Sequence, residues 1–234
     1  MEKIPEGFIL ILEFVPGQSL KHFSQKRPVN LKDFFKIAID LAEKLGEIHN
    51  KKVIHKDLKP DNIIFNPDEN ILRIVDFGIS TRLSKEESSW SNPNRLEGSI
   101  HYVSPEQTGR MNRSVDYRSD FYSLGITFYE LLTGKLPFES EDLLELVHFH
   151  LAKSPVDPRK IRSEIPEALS HVILKLFLKP QKKDTKPSEG LKNDLEIIRD
   201  KWLESGDAPA FRWAPLIILT NLKSLKTIRQ RKLH

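Results

Sequence analysis

The stretch VIHKDLKPDNIIF, residues 53–65, sets six polar or charged side chains between two apolar runs. Asp57 and Asn62 stand five positions apart, and Asp76 closes the later run ILRIVDFG at 71–78. If both runs are strands joined by a hairpin, the three side chains can meet in one cleft. Asn62 and Asp76 offer hard oxygen ligands of the kind Mg2+ takes when it also binds substrate phosphates. Asp57 is then available to accept a proton from an incoming hydroxyl. Lys59 can offset charge on a transferred phosphoryl group. This is the chemistry of positioning and electrostatics that phosphoryl transfer requires. Taken singly, each residue has a plain structural role: an Asp before Leu-Lys-Pro caps a turn, a lone His55 satisfies a core, and Asp-Phe-Gly makes a bend. Their order, spacing and flanking runs join them.

The elements that must hold these residues can be read from pattern. Asn30-Leu31-Lys32-Asp33 can open a helix, and Phe34, Ile37, Ala38, Leu41, Ala42, Leu45 and Ile48 then recur at steps of three and four. VIH and NIIF read as short strands about the polar loop, with a turn at Asn66–Asn70 leading to the strand 71–78. Residues 8–15, FILILEFV, read as a buried strand stopped by Pro16-Gly17. With no neighbour in view, that strand is expected to be an edge prone to self-association. The segment 79–103 has little periodicity and reads as a long irregular loop. Tyr122–Leu132 is apolar nearly all round and reads as a central helix ended by Gly134 and Pro137. Further helices are expected at 142–151, 166–178 and 191–204, and another at 215–229.

Composition bounds the rest. The 234 residues carry a net charge of +4 and no cysteine, which excludes disulfides and thiolate metal sites. No apolar run approaches the length of a membrane span, and a cytoplasmic location with no nucleic-acid partner is expected. His148 and His150, two apart in a helical pattern, point to different faces and make a poor metal pair.

With these residues in place, the sequence resembles the serine/threonine protein kinase family. H-K-D-L-K-P-D-N at 55–62 is similar to the catalytic loop, with Lys56 where the family has arginine, and D-F-G at 76–78 falls on its strand. The resemblance implies ATP and Mg2+ as cofactors and a protein or peptide as substrate. It implies Asp57 as catalytic base, Lys59 on the γ-phosphate, and Asn62 and Asp76 on the metal. Backbone groups of Glu13 and Val15 would meet adenine, with Ile64 beneath the ring. His55, Phe77 and Gly78 would be structural. Ser99 would support Asp57, Glu106 of Ser-Pro-Glu would close the activation segment, and Asp120 would hold the catalytic-loop backbone. The stretch at 102–158, from YVSPEQTGRMNRSVDYRSDFYSLG to HLAKSPVDP, looks like the kinase domain of large bacterial signalling proteins that also carry ATPase-like, sensor and histidine-kinase modules.

The expected fold is mainly α with short strands: a helical C-terminal lobe with a truncated N-terminal one. Residues 1–15 would be a remnant of the small lobe and hinge. The helical lobe would span 16–205, with the catalytic loop at 55–62 and the activation segment at 76–106, and 206–234 would form an extension. The sequence has no G-x-G and no V-A-I-K segment before residue 13. The chain therefore reads as a fragment whose partners include a missing small lobe or downstream signalling modules. The alternative is a catalytically inactive, pseudokinase-like interaction domain. Two finer expectations follow from departures at single residues. Lys56 grips an activation-segment phosphate less firmly than arginine, so switching at Ser84, Ser88, Ser89, Ser91 or Ser99 is not indicated. Glu106 lacks its usual arginine in KPQKKDTKPSEG, leaving Lys182 or Lys183 as partners or an unpaired carboxylate.

Overall fold

The computed structural model describes residues 2–4, 7–9, 13–25, 28–78, 80–82, 100–111, 114–178 and 187–206. In chain order, the strands and helices are β1 (Glu2–Ile4), β2 (Gly7–Ile9), β3 (Gln18–Ser19), α1 (Leu20–Ser24), α2 (Leu31–Asn50), β4 (Val53–Ile54), β5 (Ile63–Asn66), β6 (Ile71–Ile74) and β7 (Thr81–Arg82). Four helices follow: α3 (Tyr117–Thr133), α4 (Leu143–Ala152), α5 (Glu167–Leu176) and α6 (Pro187–Ser205). The mainly helical fold with short strands expected from the sequence is the one that forms.

The front of the chain departs from expectation. β1 and β2 make an antiparallel hairpin, with Lys3 opposite Phe8. The apolar strand therefore has a neighbour, supplied by three residues whose mixed charge and apolarity do not announce a strand. It also ends sooner than residue 15. Glu13–Pro16 is irregular, and Phe14 is 85% exposed. A Val-Pro-Gly sequence cannot continue a ladder, because proline has no N–H to donate. Gly17 stands at φ 139°, and a Cβ there would lie 2.8 Å from the Phe65 carbonyl oxygen. Only glycine lets the chain cross β5 so closely.

α2 begins where expected. Asn30 accepts the Asp33 N–H at 2.9 Å and donates its own amide to the Asp33 carboxylate at 2.7 Å. Its stripe from Phe34 to Leu45 is buried, each large side chain adding about 1.5–3 kcal/mol of burial. Phe34 meets Phe128 of α3 edge-on at 5.3 Å, and Phe35 meets Trp202 of α6 at 5.6 Å. α3 is buried at every position from Ser119 to Thr133 and forms the axis of the core. Its hydroxyls are satisfied inside: Ser123 donates to the Tyr102 carbonyl at 2.7 Å and Thr127 to the Ser123 carbonyl at 3.0 Å. Gly134, at φ 70°, caps its end. α5 packs against α3 where Gly125 leaves room for Leu176.

β3, β5 and β6 form a three-stranded antiparallel sheet with β5 in the middle. Ile63 and Phe65 point into the core and Ile64 to the other face, the alternation a pleated strand dictates. β7 pairs with β4, Val53 opposite Arg82, although little strand signal is legible beyond residue 78. A two-residue strand carries too short a pattern to read. Residues 83–99 of the loop expected at 79–103, the helix expected at 215–229 and the extension expected at 206–234 beyond residue 206 lie outside the described residues.

Candidate active site

The loop His55–Asn62 is strung between β4 and β5, and a buried carboxylate on α3 holds it. Asp120 is wholly buried. Its Oδ2 accepts the His55 N–H at 2.9 Å and its Oδ1 the Lys56 N–H at 2.8 Å. The His49 Nε2 at the end of α2 lies 2.8 Å from the same Oδ2. A buried carboxylate is tolerable only when its oxygens are met this fully. Backbone N–H groups of the loop have no ladder partner at this point, so the side chain supplies one.

His55 ties the loop to the segment after β6 that bears Asp76. The ring is buried, its Nε2 lies 3.0 Å from the Val75 carbonyl, and its Nδ1 accepts the Asp57 N–H at 3.3 Å. One tautomer, with the proton on Nε2, satisfies both contacts. Phe77 meets the ring edge-on at 4.7 Å and is itself 44% exposed.

Around Asp57 the polar side chains converge. Lys59 Nζ donates to Asp57 Oδ2 at 2.7 Å, and Asn62 Nδ2 donates to the same oxygen at 2.9 Å and to the Asp57 carbonyl at 2.8 Å. Neither of these side-chain bonds is made to Asp57 Oδ1. Because the Asn62 amide nitrogen is spent on Asp57, its Oδ1 is the end left for a cation. Asn62 and Asp76 lie on facing segments: Val75 donates its N–H to the Asn62 carbonyl at 2.9 Å, which places Asp76 one residue beyond that bond. Asp76 is exposed, stands at φ 62°, and accepts the Gly78 N–H on Oδ1 at 3.2 Å. No hydrogen bond joins its carboxylate to Asp57 or Asn62 among the described residues. Nor does any cluster of three or more His, Asp or Glu converge there as a self-sufficient metal centre. An amide oxygen and one exposed carboxylate fit Mg2+ completed by substrate phosphates.

The residues expected to meet the nucleotide are Glu13, Val15 and Ile64. Glu13 is exposed and Val15 half-buried, and the chain then passes over β5 at Gly17, whose added Cβ would lie 3.0 Å from Ile64 Cγ2. The backbone after residue 15 and the half-buried Ile64 thus border one another.

Glu106 has a hydrogen-bond partner on α3, and the lysines expected to pair with it lie outside the described residues. The Ser119 hydroxyl donates to its Oε1 at 2.6 Å. Arg118 is gripped by both oxygens of Asp116 and also feels the charge of Glu106. Lys182, Lys183, Arg113, Ser84, Ser88, Ser89, Ser91 and Ser99 lie outside the described residues. His148 is exposed and His150 buried, as different helix faces require.

Sequence reasoning missed three groups. His49 sits beside a legible stripe but points out of it. Gln107 completes a Ser-x-x-Gln capping box with Ser104, a signal present in the sequence. Glu130 on α3 is buried, accepts Lys21 Nζ at 2.6 Å and takes the Tyr102 hydroxyl on its other oxygen. Burial foremost, and then Glu130, push the Tyr102 hydroxyl pKa far up, so it remains a donor. The Lys21–Glu130 pair joins α1 to α3 and is separate from the cluster at Asp57.

Comparison with known proteins agrees with this geometry. A family model described as the protein kinase domain matches residues 2–193. A probable serine/threonine-protein kinase of Clostridium acetobutylicum is 32% identical over 190 residues, 81% of this chain and 27% of that protein. A probable serine/threonine-protein kinase PknB of Lactococcus lactis is 32% identical over 187 residues, 80% of this chain and 29% of that protein. Hybrid signal transduction histidine kinase G of Dictyostelium discoideum is 31% identical over a region that takes in 73% of this chain and 7% of that protein. The chain thus spans less than a third of the length of each of these relatives.

Proposed function

The chain belongs to the protein kinase family, and on that premise we propose that it transfers a phosphoryl group from MgATP to a serine or threonine hydroxyl of a protein substrate. The observation that carries this reading is the meeting of Lys59 Nζ and Asn62 Nδ2 on one oxygen of Asp57. That pairing fixes the carboxylate and leaves Oδ1 to take the proton of the acceptor hydroxyl as its oxygen attacks. A base held within hydrogen-bond reach of its proton is the geometric requirement for this role. Lys59, a mobile ammonium on a long stem, can serve Asp57 and a phosphoryl oxygen in turn. Asn62 Oδ1 and Asp76 would hold the metal, which when bound offsets phosphate charge. The backbone of Glu13 and Val15 would orient the base of the nucleotide, with Ile64 as the apolar floor. His55 and Asp120 keep Asp57 and Asp76 in register through the backbone contacts described above.

A second reading is supported by the sequence itself. Its 234 residues contain no G-x-G and no V-A-I-K segment, the parts that in complete kinases cover and pair the phosphates. A domain with this cleft and no turnover would serve as an interaction module in signalling. Incubating the full chain with γ-labelled MgATP and a serine-rich acceptor such as casein separates the two. Label on serine or threonine, reduced about 100-fold or more by Asp57→Asn, supports the enzyme. MgATP binding without transfer supports the interaction module, and no binding overturns both.

A further inference from the structure

Lys56 is one of few non-glycine residues in the left-handed region, at φ 69°. A side chain with a Cβ is disfavoured there, and such conformations persist where surrounding contacts over-determine them. Both polar ends of the Lys56 backbone are gripped. Its N–H goes to Asp120 Oδ1 at 2.8 Å, and its carbonyl accepts from Gln107 Nε2 at 2.8 Å. That carbonyl shares a rigid peptide plane with the Asp57 N–H, which is held in turn by His55 Nδ1.

We propose that Gln107 is a positioning residue for Asp57, coupling the Ser104–Thr108 turn to the catalytic loop through the strained Lys56 peptide. The proposal rests on the kinase reading for its functional meaning. The amide of Gln107 has one orientation that satisfies its neighbours: Oε1 accepts the Ser104 N–H at 3.2 Å and the Ser104 hydroxyl at 2.9 Å, which turns Nε2 toward the loop. A residue that merely capped the turn would need the acceptor end alone. The donor end reaches 51 positions back in the sequence.

The contacts also close on themselves. Glu106, beside Gln107, is fixed by Ser119 of α3 at 2.6 Å, and Asp120, beside Ser119, holds the other end of Lys56. Turn, helix and loop form one ring, so displacement of the turn must act on the peptide that precedes Asp57. An acceptor peptide docked on the turn would therefore act on the base it needs.

Gln107→Glu tests this because glutamate keeps the capping acceptor and loses the donor. Gln107→Met removes both, and Lys56→Gly relieves the left-handed strain. The full-length variants are compared by amide hydrogen exchange at Lys56 and Asp57, and by kcat and KM in the phosphotransfer assay. We expect exchange at Lys56 to quicken about 10-fold, the worth of one hydrogen bond, in both Gln107 variants. We expect kcat to fall by a similar factor with KM for MgATP unchanged, and Lys56→Gly in the Gln107→Glu background to restore most of it. Wild-type exchange rates in both Gln107 variants would overturn the proposal. A chain without turnover would sink the kinase reading alone, since the exchange measurement still decides the role of Gln107.

Discussion

Asp57 and Asp120 are both carboxylates of the same site, yet they answer to different constraints. Asp120 is wholly buried with three donors on its two oxygens. Asp120→Ala leaves those donors unmet and should destabilise the fold by about 3–5 kcal/mol, seen as a lower urea midpoint. Asp57 is only partly buried, and Asn keeps its shape and an acceptor oxygen for Asn62, so Asp57→Asn should shift that midpoint far less while cutting turnover about 100-fold. His150 adds a pH dependence. Its ring is buried between Tyr122 and Phe138, its Nδ1 shares a hydrogen bond of 2.9 Å with the Tyr122 hydroxyl, and Nε2 has no partner in hydrogen-bond geometry. Burial pushes its pKa down to about 4 from 6.5, the nearby His101 adds to this, and the Ile100 backbone offsets part of it. The folded state therefore holds this imidazole neutral where the unfolded chain is already protonated. Stability from this group is present above pH 6.5 and is lost as pH falls toward about 4, by about 3 kcal/mol in all. Urea titrations of His150→Gln against the native chain should show their stability difference narrowing across that window. An unchanged difference would mean that His150 titrates normally. Asp194, raised to about 6 by burial, has the opposite sign over much of this range, since acid relieves it, so the variant comparison isolates His150 where a single pH curve does not.

Helices with a sustained stripe were legible, and very short strands were not. α2 follows from Asn30 and the three-four spacing of its apolar residues, and α3 from an apolar run too long and too uniform for a surface helix. β1 and β7 have three and two residues, fewer than any periodicity needs, and they form because a partner strand presents unpaired backbone groups. Among the site residues, Asp57, Asn62 and Asp76 were legible because chemistry restricts their type. His49 was not assigned because its partner Asp120 is 71 positions away, and Gln107, although its capping box with Ser104 can be read from sequence, also reaches a backbone carbonyl 51 positions back. Glycine at helix contacts shows the same limit. Nothing in YSLGITFY says that Gly125 faces Leu176, yet a Cβ there would lie 2.8 Å from the Leu176 Cβ. Gly125→Ala should therefore cost about 1–3 kcal/mol through overpacking of α3 on α5, despite the better helix propensity of alanine. Thermal melting checks this, and an unchanged midpoint would show that α5 yields freely.

At the scale of the molecule, the Val75–Asn62 backbone bond sets the loop at Asp57 beside the bend at Asp76, and the chain at Gly17 crosses β5 next to Ile64. In the proposed function, Asn62 and Asp76, on segments joined by the Val75–Asn62 backbone bond, serve one metal-nucleotide site next to Asp57. Mn2+ takes the hard oxygen ligands that Mg2+ takes and broadens NMR signals of nearby amides. Titrating the full chain with MnATP should broaden the amides of Asp57, Asn62, Asp76 and Gly78 together, leave those of α5 and α6 sharp, and lose the effect in Asp76→Asn. Broadening centred elsewhere, or none at these four in a folded chain, would contradict the account.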